Sequence, residues 1–156
     1  MTRRFYANTW FIDIDGTIFI HLENNDGIQK DEILKGTKEF WSKIPDDDCI
    51  VLTTGRPSWW RVDTVLALEK FNLRYDVLLM DLPSGRRVLI NDMKPKGSSY
   101  GNDVPVPTAF ARNVERNKGV DWNSMEMDNV ISPQDTVIVK QPNEKVYYFD
   151  KETYYS

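Results

Sequence analysis

The apolar residues of the chain fall into short runs that polar turns separate from one another. Continuous apolar character is typical of strands covered on both faces, as in a parallel sheet. Runs of this kind predict four strands, over residues 9–15, 49–53, 75–80 and 87–92. Apolar spacing of three and four residues predicts two helices, over residues 37–44 and 58–71.

The order of these elements predicts an α/β protein. Strands alternating with helices favour a Rossmann-like parallel sheet with right-handed crossovers and flanking helices. A shorter fifth strand is expected over 106–111, and two strands around Pro142 and Asn143 predict a C-terminal β-hairpin. We expect a single domain over residues 1–156, with a core over 9–112 and a C-terminal extension over 113–156.

Two acids, Asp13 and Asp15, stand at the end of the first apolar run, immediately before Gly16 and Thr17. Residues two apart on a strand share a side, so the two carboxylates are expected to lie close together if the strand continues through them. Two such acids repel each other unless they share a proton or a cation lies between them. Carboxylate oxygens suit Mg²⁺, so this stretch predicts a metal-assisted phosphoryl-transfer site.

Polar residues also end two of the later runs. Thr54 follows the second strand, and Asp92 ends the run over 87–92. Ligands of parallel α/β sheets gather at the carboxyl ends of the strands. We therefore expect Asp13, Asp15, Thr54 and Asp92 to meet at one edge of the sheet.

Composition and charge exclude several classes of protein. With 156 residues and 40% apolar residues, the chain is long and apolar enough for a folded core. The formal net charge of -4 and the lack of a basic stretch disfavour binding to nucleic-acid phosphates. Cys49 is the only cysteine, which excludes an internal disulfide, and no apolar run is long enough to cross a membrane. We expect a cytoplasmic protein.

These residues resemble the motifs of the haloacid dehalogenase (HAD) superfamily. Its first motif is similar to Asp13-Ile14-Asp15-Gly16-Thr17, its second to Thr54 at the end of an apolar strand, and its fourth to Asn91-Asp92. The resemblance covers residues 9–112 and implies a HAD-like fold. The intervals Gly16–Thr54 and Arg56–Asp92 are too short for an inserted cap domain, so a small capless member with an open site is expected.

The resemblance also implies catalytic roles. Asp13 would attack phosphorus to form an aspartyl-phosphate, and Asp15 would move protons. Thr54 would bind a phosphoryl oxygen. The third motif should supply a cation, for which we favour Arg87, then Arg86, then Lys94. Mg²⁺ is the implied cofactor, and its implied ligands are Asp13, Asp15, Asp92 and Asn91.

Substrate contacts are expected from residues beside the second motif. Gly55 and Arg56 follow Thr54 directly, although Arg56 is equally compatible with a surface ion pair. Trp59 and Trp60 cannot share one helical face. We assign Trp59 to the core and Trp60 to the neighbourhood of the site, where it would stack on a sugar or base.

Three functions are compatible with these features. The first is an Mg²⁺-dependent phosphatase, a HAD-type phosphoric monoester hydrolase, acting on a small phosphorylated metabolite such as a sugar phosphate. The second is a nucleotide or nucleic-acid-end phosphatase, which the acidic balance disfavours. The third is a non-catalytic HAD-fold binding or regulatory module. No membrane partner is expected, and a homo-oligomer is left open.

Overall fold

The computed structural model describes residues 7–21, 30–98, 103–127, 136–140 and 146–150. These residues form two compact units. The first unit takes its described residues from Met1–Gly85 and Val114–Trp122, and the second from Arg86–Asn113 and Asn123–Ser156. The expectation of a single domain stays a prediction.

The first unit alternates strands and helices. Its strands are β1 (Thr9–Asp13), β2 (Cys49–Thr53) and β3 (Val77–Leu79), and its helices are α1 (Thr37–Lys43) and α2 (Arg61–Lys70), the latter preceded by a 3₁₀ turn over Ser58–Trp60. These elements lie where the hydrophobic pattern predicts them, and the predicted bounds of β2 are confirmed. None of the helices in the described residues combines the length and apolar character needed to cross a bilayer.

The three strands form a parallel sheet in the order β1-β2-β3. Asp13 is aligned with Thr53, so the carboxyl ends of β1 and β2 lie side by side. Both crossovers run in the same direction across the sheet, so connections of the right-handed sense that parallel strands favour would place α1 and α2 on the same face. The α/β class with a parallel sheet is confirmed, whereas the HAD-like assignment stays a prediction.

The core lies on one face of this sheet. Trp10 and Ile12 of β1 and Leu52 of β2 are buried there. The helix α1 contributes Phe40 and Trp41, as its spacing predicts. On the opposite face Phe11, Val77 and Leu79 stay between 41% and 56% exposed, so the described residues cover the two faces unequally.

Two predictions about the core and the sheet are wrong. Trp59 does not pack into the core: it is 78% exposed on the 3₁₀ turn. Residues 87–92 form no strand, and Val88 and Ile90 within them are 80% and 91% exposed. An apolar run does not encode its pairing partner, and a run without a neighbouring ladder has no reason to stay extended and buried.

The second unit is built from short antiparallel pairs. Strand β4 (Met93–Lys94) pairs with β5 (Val106–Pro107). Both strands are short because Pro95 follows β4 directly and Pro107 ends β5, and proline has no N–H to donate to a ladder. The fifth strand, expected over 106–111, is thus shorter than predicted and antiparallel.

The described residues of the C-terminal part contain one helix and one pair of strands. Helix α3 (Trp122–Met127) lies in the C-terminal extension, where the hydrophobic pattern predicts only the two strands of a hairpin. Strands β6 (Thr136–Lys140) and β7 (Val146–Asp150) pair antiparallel, which confirms the predicted pairing of these two strands.

Candidate active site at the carboxyl ends of strands β1 and β2

A tight turn follows β1, so that Asp13 ends the strand and Asp15 enters the turn. The carbonyl of Ile14 accepts hydrogen bonds from the backbone N–H groups of Ile18 and Phe19, at 3.0 and 3.1 Å. Gly16 closes the turn at φ 85°, in the left-handed region that glycine enters without a steric cost. The chain therefore reverses within a few residues, and Asp13 and Asp15 are retained at the edge of the sheet.

Asp13 ends β1 and is half-buried. Its Oδ2 accepts a hydrogen bond from the hydroxyl of Thr17 at 3.1 Å. Thr17 belongs to the same turn, so the sequence that places Asp13 at the strand end also supplies a donor to its carboxylate.

Asp15 is held by an arginine from the loop after β2. The Nε of Arg56 donates to Asp15 Oδ1 and Oδ2 at 3.0 and 3.2 Å, and its Nη2 donates to Oδ1 at 2.8 Å. This is a bidentate contact, in which the planar guanidinium fork fixes the plane of the carboxylate.

The same guanidinium binds a second acid, Asp31. Its Nη2 donates to Asp31 Oδ1 at 2.6 Å and its Nη1 to Asp31 Oδ2 at 3.0 Å. The Nη1 also donates to the hydroxyl of Thr64 on α2 at 3.2 Å. An arginine has five N–H donors, and each of those of Arg56 has an acceptor here.

Burial sets the electrostatics of this cluster. The side chain of Arg56 is 4% exposed, and the side chains of Asp31 and Asp15 are 5% and 20% exposed. Burial alone would lower the pKa of Arg56, but the hydrogen bonds and charges of Asp31 and Asp15 outweigh it and raise that pKa above its ordinary value. Two acids and one permanent cation leave the trio with a net charge of −1.

Thr54 supports the same carboxylate. Its hydroxyl donates to Asp15 Oδ2 at 2.8 Å and accepts the backbone N–H of Arg56 at 3.0 Å. Thr54 is fully buried, and a hydroxyl has only one proton to donate. The residue predicted to bind a phosphoryl oxygen thus points its proton at Asp15.

The residues predicted to contact substrate occupy different environments. Arg56 is 6% exposed and paired with two acids, so it forms the predicted ion pair in the interior rather than on the surface. Gly55 is exposed beside it, and Trp60 is half-buried on the 3₁₀ turn. Their assignment as substrate contacts stays a prediction.

The remaining predicted site residues belong to the second unit. Asp92 follows no strand, so the prediction that it ends a strand is wrong, whereas its meeting with Asp13, Asp15 and Thr54 stays a prediction. It is paired with Lys94, whose Nζ lies 3.2 Å from its Oδ2. Asn91 donates its side-chain amide to Thr108 at 2.6 Å. Arg86 and Arg87 are exposed. The roles of these residues in metal binding and charge balance stay predictions.

The donor chemistry of the first unit fits Mg²⁺ in part. Mg²⁺ binds through one or two carboxylates and keeps several waters, and Asp13 offers one such carboxylate at the edge of the sheet. The carboxylate of Asp15 is engaged by Arg56 and Thr54. Among the described residues, no three acids, histidines or cysteines are grouped closely enough to hold a metal ion.

A segment distant in the sequence contacts the turn that follows β1. We call Val114–Trp122 the returning segment because it rejoins the first unit. The backbone N–H of Asn117 donates to the Gly16 carbonyl at 2.8 Å, and its side chain accepts the N–H of His21 at 2.7 Å. Arg116 lies so close that a Cβ on Gly16 would be 3.1 Å from its Cγ.

Sequence reasoning missed Asp31 and the returning segment. Asp31 lies in a polar stretch with no motif or periodicity that sets it apart from the other acids. The available signal was Arg56, because a buried arginine requires acidic partners. The presence of Arg56 predicts an acidic partner but does not identify Asp31 as that partner.

Comparisons of the chain with protein-family models, curated proteins and solved structures gave no match.

Proposed function

We propose that the chain is an Mg²⁺-dependent phosphatase that hydrolyses a phosphomonoester of a small metabolite, with a sugar phosphate as the leading substrate class. One observation carries this proposal: Asp13 at the end of β1 and Asp15 just after it lie beside the carboxyl end of β2 in different environments. Asp13 is half-buried beside a hydroxyl donor, whereas Asp15 is fixed by Arg56 and Thr54.

The two environments support a division of labour. Asp13 would attack phosphorus through a carboxylate oxygen, breaking the bond to the ester oxygen and leaving an aspartyl-phosphate. The leaving oxygen takes up a proton from the protonated form of Asp15, which thereby becomes the carboxylate that Arg56 and Thr54 hold. In the second step a water attacks phosphorus as its proton passes to Asp15, and the bond to Asp13 breaks to release inorganic phosphate.

Mg²⁺, when bound, supplies positive charge for the transferring phosphoryl group. The carboxylate of Asp13 is the ligand that the first unit offers. The contribution of Asn91 and Asp92 remains the prediction stated from the sequence motifs. The absence of a large inserted module in the described residues between Gly16 and Thr54 supports a site open to solvent.

The proposal is tested by assaying the purified chain with p-nitrophenyl phosphate and a panel of sugar phosphates and nucleotides. We expect hydrolysis that requires Mg²⁺ and is lost with a chelator. Asp13→Asn should lower kcat by at least about 10³-fold, because an amide cannot act as the nucleophile.

Asp63→Asn is the matched control, since Asp63 is an exposed acid in the first turn of α2. It should keep the activity of the unmodified chain. Activity that persists in Asp13→Asn would rule out the aspartyl-phosphate route. Faster hydrolysis of phosphorylated oligonucleotide ends than of sugar phosphates would favour the nucleic-acid-end phosphatase, and phosphate binding without turnover on any substrate would favour a binding module.

A further inference from the structure

The two acids on Arg56 are unequally placed relative to solvent. Asp31 is 5% exposed and lies on the end of the guanidinium fork, whereas Asp15 is 20% exposed and lies on its side. Asp31 is therefore the more buried of the two partners of Arg56, and Asp15 is the one with more access to solvent.

We propose that Asp31 is a positioning residue, which holds Arg56 in the orientation from which it fixes the carboxylate of Asp15. This inference rests on the proposed function, in which Asp15 moves the proton. Asp31 touches neither substrate nor reacting atoms in that scheme, and it acts through Arg56 alone.

Geometry supports this role. An arginine side chain has several rotatable bonds, and a contact with Asp15 alone would leave the guanidinium free to move with that acid. Asp31 adds two hydrogen bonds on a different edge of the fork, at 2.6 and 3.0 Å. Thr64 on α2 adds a third, at 3.2 Å, and ties the same Nη1 to the helix.

Energetics point the same way. A second buried acid on one arginine adds a desolvation cost and leaves the trio at a net charge of −1. Stabilisation of the fold alone therefore does not explain why this acid is present. Precise orientation of a proton-transfer group is worth more to catalysis, because a misplacement of about 1 Å costs on the order of 10²-fold in rate.

The inference is tested with Asp31→Ala, compared with Asp48→Ala. Asp48 is also a buried acid, 2% exposed, but it lies at the amino end of β2, where it accepts hydrogen bonds from Asn8 and Trp10. Asp31→Ala should lower kcat by about 10- to 100-fold with KM within about 3-fold. Asp48→Ala should lower stability and leave kcat per folded molecule unchanged.

Rescue of kcat by added formate distinguishes a positioning role of Asp31 from a purely structural one. Formate carries one carboxylate and fits the space that the Asp31 side chain leaves, where it would restore both hydrogen bonds to Arg56. We expect formate to raise the kcat of Asp31→Ala in a saturable manner and to leave Asp48→Ala unchanged. Should Asp31→Ala fail to fold, Asp31→Asn replaces it, with a smaller loss of kcat because the amide keeps one acceptor.

The outcomes separate this inference from the proposed function. An unmodified chain that hydrolyses no phosphomonoester overturns the proposed function, and a crystal structure of the Asp31 variant then decides whether Asp31 holds Arg56. We expect Arg56 to leave Asp15 in that structure. An arginine that keeps its bidentate contact with Asp15, or a kcat equal to that of Asp48→Ala without a formate effect, overturns the positioning role.

Discussion

Arg56 determines how the two acids of the Asp-x-Asp motif differ. Asp15 accepts three of its contacts from this guanidinium, and the same side chain also spans to Asp31 and Thr64. The Arg56 guanidinium also lies over the ring of Phe19, 5.8 Å from its centroid, so an aromatic face covers part of its surface. One residue thus links the turn after β1, the loop after β2 and helix α2.

Arg56→Lys is expected to destabilise the fold by about 2–4 kcal/mol. A lysine ammonium cannot form two bidentate contacts at once, so at least one buried carboxylate loses its partner. The measurement is the free energy of unfolding from urea denaturation. Arg61→Lys is the control, since Arg61 is exposed and donates to the Leu78 carbonyl at 3.3 Å without pairing with a buried acid among the described residues.

This loss should be the same at about pH 6 and about pH 8. The pKa of Arg56 is raised by its acids, so its stabilising charge is fully present below the pKa of the unfolded state and is lost only as the pH rises through the still higher folded value. Both values lie far above neutrality. An equal stability of Arg56→Lys and Arg61→Lys would mean that the buried pairing contributes nothing.

The secondary structure of the first unit could be predicted because its signals are local. The continuous apolar run of β2 and the helical spacing of Phe40 and Trp41 depend only on neighbours in the sequence. The run over 87–92 has the same local signal and still forms no strand. Strand pairing is a long-range property, and an apolar run alone does not report it.

The same distinction applies to the candidate site. Asp13, Asp15 and Thr54 could be placed together because two parallel strands end side by side. The partnership of Arg56 with Asp31 joins residues 25 apart in sequence across different elements, and no periodicity encodes it. The contact of Trp122 in the returning segment with Trp10 spans 112 residues, which places it further still from any local pattern.

A close backbone contact anchors the returning segment, and Gly119→Ala tests it. Gly119 has φ 85°, and a Cβ there would lie 2.0 Å from the carbonyl oxygen of Lys35, so the backbone itself must shift. We expect a loss of about 2–4 kcal/mol in the free energy of unfolding, from the strained φ and the clash together.

Gly85→Ala is the matched control, since a Cβ on Gly85 would lie more than 4 Å from other atoms in the part of the chain that the structure describes. It should change stability by no more than about 0.5 kcal/mol. If the two variants had the same free energy of unfolding, the contact between the returning segment and Lys35 would not stabilise the fold.

At the scale of the whole molecule, the first unit is discontinuous in sequence. The returning segment ends at Trp122, which is 5% exposed. Its ring centroid lies 5.1 Å from that of Phe40 and 5.8 Å from that of Trp10, and the ring is nearly perpendicular to Phe40. Edge-to-face aromatic pairs of this kind stabilise a core beyond what the burial of their apolar area contributes. The core of the first unit therefore draws on residues more than 100 positions apart.

A chain ending at Gly85 should consequently fail to fold cooperatively, although it contains all three strands of the parallel sheet. It lacks Trp122, so Trp10 and Phe40 lose a large aromatic partner, a change of the kind that costs about 3–5 kcal/mol in a core. It also lacks the hydrogen bonds that Asn117 makes with Gly16, in the turn after β1, and with His21 just beyond that turn. Circular dichroism during heating should show a broad transition or none.

The matched control is a chain ending at Met127, which keeps the returning segment and helix α3. It should retain a sharp transition, and Trp122→Ala within it should lower the melting temperature because the cavity left by the indole is only partly closed by relaxation. A sharp transition in the chain ending at Gly85 would contradict this reasoning. The β1–β2–β3 layer would then be stable without the returning segment, and the contacts of Asn117 and Trp122 would serve to shape the site rather than to stabilise the core.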